Sequence, residues 1–221
     1  MLSIVKSMVL QGLDGVLINV EVDISPGIPC WDIVGLPDTN IRESKERVRT
    51  AIKNCDIELS SRKYIINLSP ATIRKDGAVL DLAIAVGVLK SMGIVGDIDL
   101  DTTIFIGELS LNGKLNKVNG ILPICIEAVK YGIKRIILPK ENAKEAAIVN
   151  DIEVLGLENL IDVIEFLSNQ KIVEPERINV EELFKSNIKN EVDFSEVKGQ
   201  DMVKRALEIA AAGGHNCLLI R

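Results

Sequence analysis

The stretch SIVKSMVLQGLDGVLINVEVDI, residues 3–24, decides how the chain begins to fold. It consists of two β-branched runs separated by the turn sequence Gly12–Gly15. In the second run every other residue is apolar, the period of a strand with one buried face. These apolar positions are Val16, Ile18, Val20, Val22 and Ile24. The stretch therefore predicts a β-hairpin.

Outward from this hairpin, the next elements follow from turn residues and from a change of period. Residues 25–29 form a Pro/Gly turn cluster, and Trp31–Val34 is a third short strand, so we expect three antiparallel strands to open the domain. Apolar residues then recur at helical spacing from Ile41 to Cys55, with Asp38, Thr39 or Asn40 as the N-cap. A strand at 64–68 and a nearly all-apolar, buried helix at 79–92 come next.

The second half of the chain alternates strands and helices. The predicted strands are 103–106, 135–138 and 153–155, and the predicted helices are 122–131, 142–149 and 157–167. A hairpin crosses 111–114, where Asn112-Gly113 is the signal of a type I′ turn. Strands separated by helices imply a partly parallel sheet covered by helices. The sequence thus predicts one α+β domain with a mixed sheet, residues 1–168.

The C-terminal part differs in composition. Residues 169–196 are polar and charged and are interpreted as a linker with a short helix at 181–184. A helix at 199–212 and a strand at 216–220 follow. Because a helix and one strand cannot enclose a core, residues 197–221 are interpreted as the opening of a second domain.

Composition limits the function. The chain has 221 residues, 47% hydrophobic and 26% charged, which excludes disordered and fibrous classes. Its net charge of −6 lacks the basic field of a dedicated nucleic-acid-binding domain, and seven aromatic residues argue against a base-stacking platform. The four cysteines show no C-x-x-C spacing and are expected to be buried free thiols in a reducing cytosol. No segment suggests a membrane or export, so we expect a cytoplasmic protein.

Four long runs carry a family resemblance. They are GLDGVLINVEVDISPGIPCWDIVGLPDTNIRESKERVRTAIKN (12–54), NLSPATIRKDGAVLDLAIAVGVL (67–89), GELSLNGKLNKVNGILPICIEAVKYGIKRIILPKENAKEA (107–146) and GQDMVKRALEIAAAGGHNCLLI (199–220). The first three resemble the N-terminal domain of the magnesium-chelatase-related AAA+ ATPases of the YifB/ComM type. The fourth is similar to the segment that leads into this family's Walker A loop. The resemblance covers essentially the whole chain.

The resemblance implies a ribosomal S5 domain 2-like fold, shared with the Lon protease catalytic domain, ahead of a AAA+ module. It implies ATP and Mg²⁺ as cofactors of the full-length family, a homo-oligomeric ring, and a link of the ComM branch to DNA processing in natural transformation. Gly199 and Gln200 match the family's adenine-side lead-in. Arg221 stands where the first glycine of the phosphate loop is expected, so these residues alone should bind no cofactor and hydrolyse no ATP.

The resemblance to Lon departs at the catalytic pair. Val79 stands where Lon has its serine, and Leu122 stands where it has its lysine. Neither side chain can attack or accept a proton, so we expect a degenerate peptidase site and no catalytic residue. The alternating Asp97, Asp99 and Asp101 favour a solvated turn over a metal site. The single histidine, His215, is interpreted as structural.

Basic residues concentrate in one segment. The segment from residue 42 to residue 75 contains nine basic and four acidic residues, which gives it a net charge of +5. The remaining chain therefore has a net charge of −11. The candidate patch contains Arg42, Lys45, Arg49, Lys53, Arg62, Lys63, Arg74 and Lys75. It can contact DNA phosphates, or it can meet an acidic neighbouring subunit or the AAA+ module. A third reading is an ordinary solvated helix face, neutralised by the i,i+4 pairs Arg42–Glu46 and Glu43–Arg47.

Two classes of function therefore remain. One is a noncatalytic substrate-binding or regulatory domain of a DNA-processing AAA+ ATPase. The other is an assembly or protein-docking domain of a chelatase-like or chaperone-like ATPase.

Overall fold

The structure is a computed structural model that describes residues 2–73, 75, 77–96, 100–178 and 193–219. The chain divides into two compact units, Met1–Ile178 and Asn179–Arg221, and each is described by itself.

The described part of the first unit consists of strands that alternate with helices over most of its length. The strands are β1 (Leu2–Gln11), β2 (Asp14–Ser25), β3 (Cys30–Val34), β4 (Lys63–Ser69), β5 (Thr103–Phe105), β6 (Glu108–Leu109), β7 (Leu115–Asn116), β8 (Arg135–Pro139) and β9 (Glu153–Leu157). The helices are α1 (Thr39–Lys53), α2 (Asp81–Ser91), α3 (Ile121–Lys130), α4 (Lys140–Ala146) and α5 (Leu160–Leu167).

Seven of these strands form one mixed sheet in the order β3-β4-β2-β1-β5-β8-β9. The opening hairpin is confirmed, since β1 and β2 pair antiparallel with Val9 opposite Val16. Strand β4 is antiparallel to β2, and all other pairs in this sheet are parallel. The mixed sheet with covering helices that the sequence predicts is therefore present.

The expectation of three antiparallel opening strands is wrong for the third strand. Strand β3 pairs in parallel with β4, with Cys30 opposite Lys63, and it lies at the edge of the sheet. Parallel neighbours need a crossover connection, and α1 supplies it between β3 and β4. Strand β4 thereby takes the place beside β2 that the sequence analysis assigned to β3.

The β6–β7 hairpin is present, but its turn is not of type I′. That type requires positive φ at both central residues, whereas of Asn112 and Gly113 only Gly113 has it (+83°). The Ser110 N–H donates to the Lys114 carbonyl and the Gly113 N–H to the Ser110 carbonyl, which defines a three-residue loop. The Asn112 side chain accepts from the Lys114 N–H (3.1 Å) and holds this geometry.

The sheet separates two apolar clusters. One contains α2 with the buried faces of α1 and α5, and the other contains the buried faces of α3 and α4. Helix α2 is buried over almost its whole surface, as its apolar sequence predicts. The first unit is thus a sheet with helices on both faces.

The first unit runs to Ile178, ten residues beyond the expected domain end at 168. The Glu176 N–H donates to the Val154 carbonyl, and Val173 and Ile178 pack against the two clusters. This part of the expected linker therefore packs on the domain. The short helix predicted at 181–184 lies outside the described residues.

The second unit contains a short 3₁₀ helix (Phe194–Glu196) and α6 (Asp201–Gly213). The strand predicted at 216–220 is not formed over residues 216–219, and Ile220 lies outside the described residues. Among the residues that the structure describes, no helix has the length and apolar character needed to cross a membrane.

Candidate nucleic-acid interface

Helix α1 presents basic residues because its apolar residues follow a separate stripe. Ile41, Val48 and Ile52 are buried against the sheet and α2, which leaves the other face of α1 to solvent. The Asp38 carboxylate starts this helix by accepting from the Ile41 N–H (2.7 Å), and it also accepts from the Gly77 N–H (3.2 Å). The basic residues of the exposed face are Arg42, Lys45, Arg49 and Lys53.

A cleft of about 370 Å³ lies between α1, β3 and the segment that leads into β4; we name it the α1–β3 cleft. Lys45 and Arg49 reach it from α1, and Arg62 reaches it from the segment before β4. Its remaining lining residues are Pro29, Cys30, Trp31, Asp32, Glu46, Leu59, Ser60, Ser61 and Tyr64. The fold therefore gathers three of the predicted basic residues from two separate segments at one cleft.

Three further basic residues of the predicted patch lie on α1 and at the start of β4. Arg49 also lines a neighbouring groove of about 510 Å³ together with Lys53, so the two depressions share a wall. Lys63 is the register partner of Cys30 at the start of β4. Arg42 lies on the exposed face of α1 three residues before Lys45.

Six basic side chains of the predicted patch form no ion pair within the described part of the chain. They are Arg42, Lys45, Arg49, Lys53, Arg62 and Lys63. The helix-face pairs Arg42–Glu46 and Glu43–Arg47 do not form. The basic groups of the exposed face of α1 are therefore not engaged in ion pairs with described residues and can contact an anionic partner.

Arg47 turns away from this surface toward α2. Its Nε lies 2.8 Å from Asp81 Oδ2 and its Nη2 lies 3.2 Å from Asp81 Oδ1. The Leu109 N–H also donates to Asp81 (3.2 Å), whose side chain is fully buried. Burial raises the pKa of Asp81 while the Arg47 and Ser44 hydrogen bonds oppose that change, and the hydrogen bond to Asp81 raises the pKa of Arg47. Asp81 thus pairs with Arg47.

Lys75 does not belong to the exposed patch. It is fully buried, and its ammonium donates to the Gly35 carbonyl (2.7 Å) and to the Pro70 carbonyl. Its sequence position beside other basic residues suggested exposure, but residue 75 pairs with Pro37 in a β-bridge that carries it inside. Arg74 lies outside the described residues.

The buried Lys75 predicts a pH dependence of stability. Burial lowers the pKa of Lys75 in the folded protein, so between that pKa and the ordinary value of about 10.4 the unfolded chain binds more protons. The contribution of Lys75 to the free energy of unfolding should therefore rise with pH through this window. In urea unfolding, the free energy of unfolding of the wild-type chain should rise relative to that of Lys75→Met as the pH approaches the ordinary lysine pKa of about 10.4. A constant difference between the two chains would contradict it.

The two segments that resemble the Lon catalytic segments lie side by side. Val79 and Gly77 line a cleft of about 320 Å³ together with Val118 and Asn119. Asn142 holds the second segment by accepting from the Val118 N–H (3.0 Å) and donating to the Val118 carbonyl (2.8 Å). Val79 offers this cleft only methyl groups where a nucleophile would be required.

The second segment continues into the start of α3. Leu122, which the resemblance to Lon aligns with the lysine of that protease, is partly buried, and its backbone N–H donates to Glu145 Oε1 (3.2 Å). Neither this aliphatic side chain nor Val79 can carry out acid–base chemistry.

Other candidate groups are distributed as follows. Among the described residues, no cluster of His, Cys, Asp and Glu could hold a metal ion. Asp97 and Asp99 lie outside the described residues. The four thiols are free, but only Cys125 is buried, where desolvation raises its pKa to about 12. Gly199 and Gln200 precede α6 with positive φ and are exposed in the second unit.

The aromatic pair in the α1–β3 cleft was missed by sequence reasoning. The rings of Trp31 and Tyr64 stack with centroids 4.6 Å apart and planes at 22°. The low aromatic content argued against a stacking surface, but content does not show where the few rings lie. The pair depends on the parallel register of β3 and β4, which the sequence pattern did not reveal.

Comparisons with known proteins identify the class of this chain. Residues 20–142 match the family model described as subunit ChlI of Mg-chelatase, and residues 193–221 match the model described as magnesium chelatase, subunit ChlI. The class is thus that of proteins related to this chelatase subunit.

Individual relatives sharpen this assignment. The competence protein ComM of Haemophilus influenzae is 36% identical over 220 residues, which cover 99% of this chain and 43% of that protein. The YifB protein of Escherichia coli is 39% identical over 219 residues, 99% of this chain and 42% of that protein. A Lon protease of Methanosphaera stadtmanae is 28% identical over 151 residues, 64% of this chain and 18% of that protein. The chain belongs to the magnesium-chelatase-related family of ComM and YifB, and it spans about two fifths of the length of these two relatives.

Proposed function

We propose that this chain is a noncatalytic substrate-binding domain of a magnesium-chelatase-related AAA+ ATPase and that it contacts DNA through the basic surface around the α1–β3 cleft. The observation that carries the proposal is the set of cationic side chains without ion pairs among the described residues, three of which converge on one cleft. The name of the relative ComM, a competence protein, supports DNA taken up in natural transformation as the setting.

The wider proposal concerns the full-length protein. The first unit adopts a ribosomal S5 domain 2-like fold, and residues 197–221 open a AAA+ module in which ATP and Mg²⁺ are bound and Gly199 and Gln200 lie near the adenine. The protein acts in the cytoplasm as a homo-oligomeric ring. The match of residues 193–221 to a chelatase-subunit model and the match of part of this chain to a Lon protease support this arrangement.

The physical mechanism of DNA contact is charge neutralisation. Lysine and arginine side chains that bind phosphates release condensed counterions, so affinity falls as salt rises. Such contacts position the domain on DNA but carry no sequence information. Arg49 is central to this surface because it lines both the α1–β3 cleft and the adjoining groove.

Charge reversal at Arg49 and Lys53 tests this function. The double variant Arg49→Glu, Lys53→Glu should weaken DNA binding at low salt by about tenfold or more. The slope of log K against log salt should become less steep by the amount expected for the loss of about one to two phosphate contacts. Fluorescence anisotropy of labelled DNA in a salt titration measures both effects. Both residues are exposed, so thermal stability should change little.

A matched control separates a local site from a general charge effect. The variant Lys134→Glu, Lys144→Glu changes the net charge equally at exposed positions outside the patch. It should retain most of the affinity. Equal losses in both variants, or no DNA binding by the wild-type chain at low salt, would reject this surface as the DNA site.

A second candidate function is assembly. The edge strand β3 exposes Val34, and the preceding turn exposes Ile28 (86%), which favours a protein partner beside the basic surface. The acidic remainder of a second copy of this chain complements that surface in charge. Sedimentation at low and high salt decides: salt-sensitive oligomers lost on Arg49→Glu, Lys53→Glu support assembly, and a monomer at all salt concentrations rejects it.

A further inference from the structure

The single tryptophan of the chain lies at the basic cleft. Trp31 is partly exposed on edge strand β3 and lines the α1–β3 cleft together with Lys45, Arg49 and Arg62. Tyr64, its stacking partner, lines the same cleft.

The sheet and the hydrogen bonds of Tyr64 hold the stacked pair of Trp31 and Tyr64 in place. Trp31 and Tyr64 are register partners of the parallel strands β3 and β4, so the sheet places their rings side by side. Tyr64 is buried, and its hydroxyl donates to the Ser60 carbonyl (3.0 Å) and lies 3.1 Å from Ser60 Oγ. Trp31 therefore has a fixed orientation at the cleft, and a ligand ring that stacks on it does not have to order it first.

We propose that the α1–β3 cleft is a single-strand subsite that takes one nucleobase of a DNA strand stacked on Trp31, with flanking phosphates on Lys45, Arg49 and Arg62. This inference rests on the proposed DNA contact and names its substrate class. An aromatic ring beside unpaired cations is the combination that binds single strands, because every base has a π-face and every linkage has a charge. Paired bases inside a duplex cannot reach such a ring.

The acidic residues of the cleft favour a base over a simple anion. Asp32 and Glu46 line it beside the three cations. Carboxylates accept hydrogen bonds from the amino groups of bases, cytosine N4 among them. A volume of about 370 Å³ lies in the range of small-ligand sites, which is about 300–1,000 Å³.

Trp31 reports directly on this proposal because it is the only tryptophan. Its fluorescence is measured on the wild-type chain with oligo(dC), with an abasic strand of equal length, and with a duplex of equal length. Oligo(dC) should quench the emission, whereas the abasic strand and the duplex should bind through phosphates without quenching. The log–log salt slope for oligo(dC) should be about −2 or steeper, the value for at least three phosphate contacts on a single strand.

Variants of Trp31 test how much base stacking contributes to the affinity for a single strand. Trp31→Ala should weaken oligo(dC) binding about fivefold or more, as expected for the loss of one stacked base, and should leave abasic-strand binding unchanged. Trp31→Phe keeps a ring and should retain part of the affinity. Tyr131→Ala removes an exposed aromatic residue of α3's C-cap, outside the cleft, and serves as the control. Circular dichroism melts show whether each variant is folded.

The outcomes separate the two proposals. If no DNA binds at low salt, the proposed function fails, and this inference fails with it. If DNA binds but Trp31 emission is unchanged and abasic and normal strands bind equally, DNA contact stands and the stacking subsite is wrong. Quenching by poly-glutamate with an affinity equal to that of oligo(dC) would overturn the inference in favour of an acidic protein partner.

Discussion

Replacing Arg47 by alanine is expected to lower the free energy of unfolding of the first unit by about 3–5 kcal/mol, because the change leaves the fully buried carboxylate of Asp81 without its charge partner. Arg47 links α1 to α2, since its Nη2 also donates to the Asn40 carbonyl (3.2 Å) and to Ser44 Oγ (2.9 Å) in α1 while its Nε reaches Asp81 of α2. The Leu109 N–H that shares Asp81 ties β6 to the same network. The melting temperature should fall by on the order of 10 °C in a thermal melt.

Arg42→Ala is the matched control for this prediction. Arg42 is exposed on the same helix and forms no ion pair with any described residue, so its removal should change the free energy of unfolding by less than about 0.5 kcal/mol. If Arg47→Ala were as mild as Arg42→Ala, Asp81 would have to be protonated in the folded state and the charged pair would be absent.

Gly35→Ala is expected to cost more than about 3 kcal/mol of folding stability, because strain and a clash with backbone act together. Gly35 has φ +97°, where a side chain is strained, and a Cβ built on it would lie 2.2 Å from the Leu68 carbonyl oxygen. That oxygen belongs to the backbone of β4 near the end of the strand and cannot move like a side-chain end. The Gly35 carbonyl also accepts from Lys75, so the variant should disturb the buried lysine as well. Urea unfolding measures the loss.

Gly93→Ala isolates the strain from the clash. Gly93 also has positive φ (+75°), but a Cβ there would meet nothing within 4 Å. This variant should lose only about 1–2 kcal/mol, the cost of a left-handed conformation. Similar losses for the two variants would show that β4 can move away from residue 35.

Much of the fold was predictable because the spacing of apolar residues along a strand or helix indicates which of its faces is buried. The alternation from Val16 to Ile24 correctly predicted a strand with one buried face, and the apolar run around 79–92 correctly predicted a central helix. The alternating second half correctly predicted the parallel strands β5, β8 and β9 with helices between them.

Neighbours in the sheet were not predictable, because period says which face of a strand is buried and nothing about which strand lies beside it. Trp31–Val34 was correctly taken as a strand, yet its partner is β4, which follows some thirty residues later. The Asn112-Gly113 turn was placed correctly, but its type depends on the loop hydrogen bonds of Ser110 and Lys114.

The candidate site shows the same division. The sequence located the basic segment, but it could not tell that Lys75 is buried or that Arg47 is used inside the protein. Both outcomes follow from long-range contacts, with Gly35 for Lys75 and with Asp81 for Arg47. A count of charges treats these two residues like Arg49, although only Arg49 lies at the cleft.

The amino-acid pattern alone established a helix-covered mixed sheet and a concentration of positive charge between residues 42 and 75. These features are local, because they depend only on the spacing and identity of residues along the chain. The tertiary structure alone decided which cations stay free and that the only tryptophan stacks at their cleft. The physical reason is that the β3–α1–β4 crossover brings Trp31, Arg49 and Arg62 together, and their meeting depends on strand register.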